Sequence, residues 1–128
     1  NATKESDYED THPLGRESHY WSAWGSYIFS MTNAKIDTDG DGQHDDASIL
    51  YHTGSDEAYR TAILNTQVAV LKDEQTRVVL SIDLAEILKT ASGEPIDLLA
   101  NPNTHDISNL TLANQLMDNF AASLEVAK

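Results

Sequence analysis

The sequence predicts a mainly β protein, an antiparallel β-sandwich with a short helix and a C-terminal helix. Segments rich in β-branched and aromatic residues alternate with turns rich in Asp and Gly, which is typical of antiparallel strands. Asp83, followed three residues later by Glu86 and by a short apolar stripe, indicates one short capped helix. Apolar residues recur at helical spacing near the end of the chain, which indicates a second helix with one buried face.

The 128 residues fit a single domain, residues 1–128, that is large enough to bury a core. Residues 1–15 are polar and contain Pro13 and Gly15, so we expect an extended arm there. The C-terminal helix is predicted over residues 109–127. Its buried face is predicted to comprise Ala113, Leu116, Met117, Phe120, Ala121 and Leu124.

Two strand-like segments, residues 27–36 and 48–51, flank a short acidic loop and predict a β-hairpin. Two more segments, residues 59–71 and 76–82, are rich in Val, Leu and Ile and are also predicted to form strands. The order of these segments favours antiparallel pairing of neighbours along the chain.

The acidic loop, residues 37–46, has the sequence DTDGDGQHDD. It places carboxylates at positions one, three, five and nine of a calcium-binding pattern, with a glycine at position six for the sharp bend. It is not an EF-hand, because position twelve is Ser48 rather than Glu and the flanking segments are strand-like. A solvated acidic turn without an ion is the alternative. The predicted calcium ligands are Asp37, Asp39, Asp41, Gln43, Asp45 and Asp46.

Composition excludes several classes of function. The 21 acidic and 8 basic residues give a net charge of −13, which argues against binding nucleic acid or an anionic membrane surface. No apolar run approaches the ~20 residues of a spanning helix, so we expect no membrane insertion. Motifs of the G-x-S-x-G and H-E-x-x-H types are absent from the sequence, and we expect that the protein is not an enzyme. The chain begins with Asn, which we interpret as a processed or truncated product.

A transition-metal site in this chain would have to use imidazoles, because the sequence contains no cysteine. Imidazole suits copper, zinc and nickel alike. From the residues alone, an ordinary surface position is the favoured interpretation of each single histidine. The five histidines are His12, His19, His44, His52 and His105.

Residues 21–29, with the sequence WSAWGSYIF, resemble the aromatic signature of the MbnP-like family. This family comprises copper-binding proteins of the periplasm or cell surface, including CorA and MopE of methane oxidisers. The YHTG sequence of residues 51–54 resembles its F-H-x-G element, and residues 79–84 resemble its strand ending in V-D-L. His105 and residues 114–120 resemble its closing segment. The resemblance covers nearly all of this chain but only the C-terminal part of a typical member.

The resemblance implies copper binding by His52 and His105, with His19 as a third ligand. Members commonly carry Met at the position of His19, and many carry a Trp or His where this chain has Ala23, so we expect a different first coordination shell. The resemblance also makes Trp21 a candidate for oxidation to kynurenine by a partner di-haem enzyme of the cytochrome c peroxidase type. Trp24 is interpreted as a packing residue.

The function that follows is an exported bacterial metal-binding protein of the periplasm, cell surface or extracellular space, with copper and calcium as its metals. The competing hypothesis is a calcium-stabilised structural or adhesion module of a cell-surface or extracellular assembly, which requires only the acidic loop and the sandwich. Because typical members have earlier strands that this chain lacks, we expect another chain or another copy to supply strands.

Overall fold

A long antiparallel hairpin forms the centre of the protein. The computed structural model describes residues 4–22 and 24–127, without the side chain of Glu17. Strand β2 (Ser26–Ile36) pairs with strand β3 (Ala47–Gly54). A two-residue strand, β1 (Tyr20–Trp21), pairs with the other edge of β2, so the sheet order is β1-β2-β3. The antiparallel pairing and the hairpin around the acidic loop are therefore confirmed.

The two faces of β3 have different environments. Ile49, Tyr51 and Thr53 are buried, each with 3% or less of its surface exposed. Successive side chains of a strand point to opposite faces, so Leu50 and His52 lie on the other face of the sheet. This alternation separates the core from the face that carries His52.

The core lies between the sheet and two helices, α1 (Leu84–Ile87) and α2 (Leu110–Ser123). The antiparallel sheets and the C-terminal helix agree with the prediction, but a sandwich is not confirmed. The layer against the central sheet is helical, and within the described residues the second sheet consists of two short strands, β4 (Leu80–Ser81) and β5 (Glu125–Val126). The buried core cluster comprises Ile49, Tyr51, Ile87, Ile96 and Leu116.

Both predicted helices are present among the described residues. Asp83 caps α1, because its Oδ1 accepts hydrogen bonds from the backbone N–H groups of Ala85 and Glu86 at 2.8 and 3.3 Å. Helix α2 is shorter than the predicted range 109–127, since Leu124 is extended and the chain continues into β5. Neither helix, nor any other in the described part of the chain, has the length and apolar character needed to cross a membrane.

The predicted N-terminal arm is folded onto the hairpin where the structure describes it, from Lys4 onward; residues 1–3 lie outside the described residues. It contains 3-10 turns at Glu5–Asp7 and Pro13–Gly15 rather than one extended run. The Tyr27 hydroxyl donates a hydrogen bond to the Leu14 carbonyl at 2.9 Å, which fastens the arm to β2.

Residues 61–79 contain no helix or strand, so the strands predicted over residues 59–71 and 76–82 are wrong except at β4. Ile63 and Val70 are 82% and 79% exposed. A strand requires a neighbouring strand to bond its backbone groups, and no described strand forms a ladder with residues 61–79. Contact with the following sheet is made at the end of this segment, where the Ala127 N–H donates a hydrogen bond to the Val79 carbonyl at 2.9 Å. The expectation that another chain or copy supplies strands stays a prediction, and this segment is where such pairing would be expected.

Candidate metal centre

The predicted calcium loop lies at the tip of the β2–β3 hairpin and is exposed. One carboxylate oxygen from each of Asp37, Asp39 and Asp46 lies within 4.8 Å of the others, a spacing that can hold a cation. Gly40 and Gly42 have φ angles of 80° and 84°, the left-handed region that glycine adopts without steric cost. Gly42 occupies position six of the predicted pattern, where the sharp bend was expected.

Hydrogen bonds within the loop hold these carboxylates in place. Asp46 Oδ2 accepts bonds from the Thr38 backbone N–H at 2.7 Å and from the Thr38 hydroxyl at 2.9 Å, and these bonds lower the pKa of Asp46. Asp37 accepts bonds from the backbone N–H groups of Gly40 and Gly42. The loop therefore has a defined shape that keeps Asp37, Asp39 and Asp46 together.

The other predicted calcium ligands are not part of this group of three. Asp41 accepts hydrogen bonds from the backbone and the side-chain amide of Gln43, at 2.7 and 3.0 Å. Asp45 is exposed beside Asp46. The structure thus brings three of the six predicted ligands together, and Asp41 and Gln43 bond to each other.

A second cluster lies on the sheet face opposite the core, where two histidines meet Trp21. The ring centroids of His52 and His105 are 4.7 Å apart. Trp21 packs edge to face against both rings, with its centroid 4.8 Å from His105 and 6.3 Å from His52. Residues from β1, β3 and the loop before α2, far apart along the chain, therefore converge at one site.

The loop that carries His105 is held against the free edge of β3. Thr104 is completely buried, and its hydroxyl donates a hydrogen bond to the His52 carbonyl at 2.7 Å. The Thr104 backbone N–H donates to the Leu50 carbonyl at 3.2 Å, and Leu50 forms a parallel bridge with Asn103. These bonds add a single parallel bridge at the edge of β3. They place His105 next to His52.

The two imidazoles differ in their hydrogen bonding. Nε2 of His52 lies 2.9 Å from Oδ1 of Asn33 on β2. Nε2 of His105 is buried and has no hydrogen-bond partner among the described residues. A buried polar atom without a partner costs free energy, so an atom of this kind suggests that a ligand satisfies it.

The surroundings of His52 favour its neutral imidazole. Burial lowers the pKa of His52, and the neighbouring His105 lowers it further. A neutral imidazole keeps a lone pair for a metal, and a set of imidazoles without thiolate suits copper, zinc or nickel. The residues present therefore fit the copper that the sequence resemblance implies.

His19 and the other histidines lie apart from this pair. His19 is exposed at the end of a 3-10 turn, Glu17–His19, two residues before Trp21. Within the described part of the chain it makes no ring contact with His52 or His105. His44 is exposed in the acidic loop, and His12 stacks on Tyr8 in the N-terminal arm.

Trp24 packs against the ring face of Trp21. Their rings are stacked, with centroids 5.5 Å apart and planes at 6°. A Cβ added at Gly54 would lie 2.9 Å from the Tyr27 carbonyl oxygen and 3.3 Å from Cε3 of Trp24, which is why this position requires glycine. Ala23, where a different coordination shell was expected, lies outside the described residues.

Asn33 and Thr104 contact the site but were missed from the sequence. The available signal for Asn33 was an Asn in the middle of a predicted strand, where this residue type is uncommon. For Thr104, the sequence offered only its position next to His105. Its role could not be predicted because it depends on a bridge between β3 and a distant segment.

Comparison with known proteins gives one match. A family model described as MbnP matches residues 1–113, a range that includes Trp21, both clustered histidines and the acidic loop. Neither a curated protein nor a solved structure matches the chain. The match extends over most of the 128 residues and includes the aromatic signature, the YHTG element and His105, but it ends before residues 114–120 of the closing segment. The chain therefore belongs to the MbnP family.

Proposed function

We propose that this protein is an exported metal-binding protein that binds copper through His52 and His105 beside Trp21. The observation that carries the proposal is the convergence of two imidazoles on Trp21, with Nε2 of His105 buried and without a partner among the described residues. Membership of the MbnP family supports metal binding. The proposed role is binding rather than catalysis, and the proposed location is the periplasm, the cell surface or the extracellular space of a bacterium.

His19 is the proposed third copper ligand. It is exposed and lies two residues before Trp21, so its side chain is not held elsewhere by packing.

A calcium-stabilised structural or adhesion module is the second candidate function. The group formed by Asp37, Asp39 and Asp46 favours it, because three carboxylates within 4.8 Å of each other repel unless a cation lies among them. This function requires no participation of the histidines. The two candidates are compatible in one protein, but they predict different metals in purified material.

Elemental analysis of natively isolated protein, purified without added metal, separates the two candidates. We expect close to one copper per chain under the first proposal, with or without calcium. Copper should remain after dialysis against a buffer without chelator, because imidazole ligands bind this metal tightly. Calcium without copper would favour the structural module and would count against the copper proposal.

Calcium is expected to stabilise the hairpin through the acidic loop. Extracellular calcium sites have dissociation constants of about 10⁻⁴ to 10⁻³ M. Calcium at ten times such a constant stabilises the folded state by about 1.4 kcal/mol, which raises the melting temperature of a domain of this size by about 5 °C. Asp39→Asn keeps a side-chain oxygen for the Asp41 N–H but removes one charge from the group, so it should lose most of this increase.

Calorimetry with calcium and with chelator measures the effect. Asp10→Asn, a matched charge removal in the exposed arm, should respond to calcium as the wild type does. If chelator leaves the melting temperature of the calcium-loaded wild type unchanged, the loop is an acidic turn without an ion.

A further inference from the structure

We infer that Asn33 is a positioning residue that fixes the His52 imidazole with its proton on Nε2, which leaves Nδ1 as the metal-binding atom of His52. The inference rests on the proposed copper site. It assigns a metal-binding nitrogen to His52 and to His105. It also gives a role to Asn33, which is not itself a proposed copper ligand.

The sheet register places Asn33 within reach of His52. Asn33 lies opposite Leu50 and Met31 lies opposite His52, so Asn33 is the diagonal cross-strand neighbour of His52 on the same face. Their side chains meet with 2.9 Å between Asn33 Oδ1 and His52 Nε2, an ordinary hydrogen-bond distance.

Hydrogen-bond chemistry then determines the tautomer. An amide oxygen only accepts hydrogen bonds, so Nε2 of His52 must donate. An imidazole that ligates a metal is neutral and carries a single N–H. The lone pair of His52 is therefore on Nδ1, and the bond to Asn33 also restricts rotation of the ring.

Whereas His52 is expected to use Nδ1, His105 is expected to bind the metal through Nε2. Its Nε2 is buried without a partner among the described residues, while its backbone N–H bonds to Oδ1 of Asn103 at 3.1 Å. The two ligands are thus expected to use different nitrogens, Nδ1 from His52 and Nε2 from His105. Hydrogen bonds from a ligating histidine to a second residue commonly orient the ring and raise metal affinity by about 10- to 100-fold.

The test combines copper affinity with the protonation state of His52. Asn33→Leu removes the acceptor at similar volume, and Asn33→Asp retains an acceptor oxygen. We expect competition with a chromophoric copper chelator to show affinity about 10- to 100-fold lower for Asn33→Leu, and no loss for Asn33→Asp. Asn65→Leu, the same change at an exposed position in the 61–79 segment, should bind copper as the wild type does.

Nitrogen-15 NMR of the copper-free protein provides a readout that needs no copper. The wild type should show His52 protonated at Nε2 with a slowly exchanging N–H proton, and Asn33→Leu should lose that slow exchange. A wild-type spectrum with the proton on Nδ1 would overturn the inference, as would wild-type copper affinity in folded Asn33→Leu. A wild type that shows the Nε2 proton but binds no copper would refute the copper proposal instead, so the two failures are distinguishable.

Discussion

Replacing His52 by alanine is expected to abolish tight copper binding. The proposed site has two clustered imidazoles, so the variant retains only His105 from this pair. Loss of a direct ligand should exceed the 10- to 100-fold effect of losing a residue that only orients a ligand, so we expect at least a ~100-fold weaker affinity. His105→Ala should have a similar effect, because it removes the nitrogen that has no partner in the described part of the protein. Competition with a chromophoric chelator measures both.

The chain offers matched controls for this experiment. His44→Ala removes an exposed imidazole in the acidic loop and should leave copper affinity unchanged. His19→Ala should cause a smaller loss than His52→Ala, since His19 makes no ring contact with the pair within the described residues. The calcium response of all these variants should match the wild type, because the acidic loop provides its own oxygen atoms. Wild-type copper affinity in both His52→Ala and His105→Ala would contradict the proposed site.

The features predicted correctly from sequence depend on short-range interactions. Residues 37–46 alternate Asp with small residues between two β-branched segments, and this local pattern was enough to predict a loop at a hairpin tip. Asp83 predicted the start of α1 because an N-cap bonds backbone groups only two and three residues away. In both cases the interacting groups are close in sequence.

The errors occur where the structure depends on distant partners. Residues 61–79 have the apolar content of strands, but a strand also needs a neighbour, and nothing in the local sequence reports whether one is present. The meeting of His52 with His105 depends on the bridge between Leu50 and Asn103, which no spacing rule predicts. The family resemblance, rather than periodicity or spacing, singled out these two histidines.

The largest chemical change we expect is the conversion of Trp21 to kynurenine in natively isolated protein, through the proposed di-haem partner. Trp21 is only partly buried and its ring contacts both imidazoles, so a modified ring would lie beside the bound copper. Trp24 should remain intact, because it stacks on Trp21 and its Nε1 is buried. The net composition of the modified residue has one carbon fewer and one oxygen more than tryptophan.

Mass spectrometry of the tryptic peptide that follows Arg16 and ends at Lys35 tests this prediction, since this peptide contains both tryptophans. Fragment ions that separate Trp21 from Trp24 assign the change to one of them, so Trp24 serves as the internal control. Protein made in a host without the partner should keep Trp21 and bind copper more weakly, through the imidazoles alone. Unmodified Trp21 in native material, together with wild-type copper affinity in His52→Ala, would favour the calcium-stabilised module, because that function requires neither the tryptophan nor the histidines.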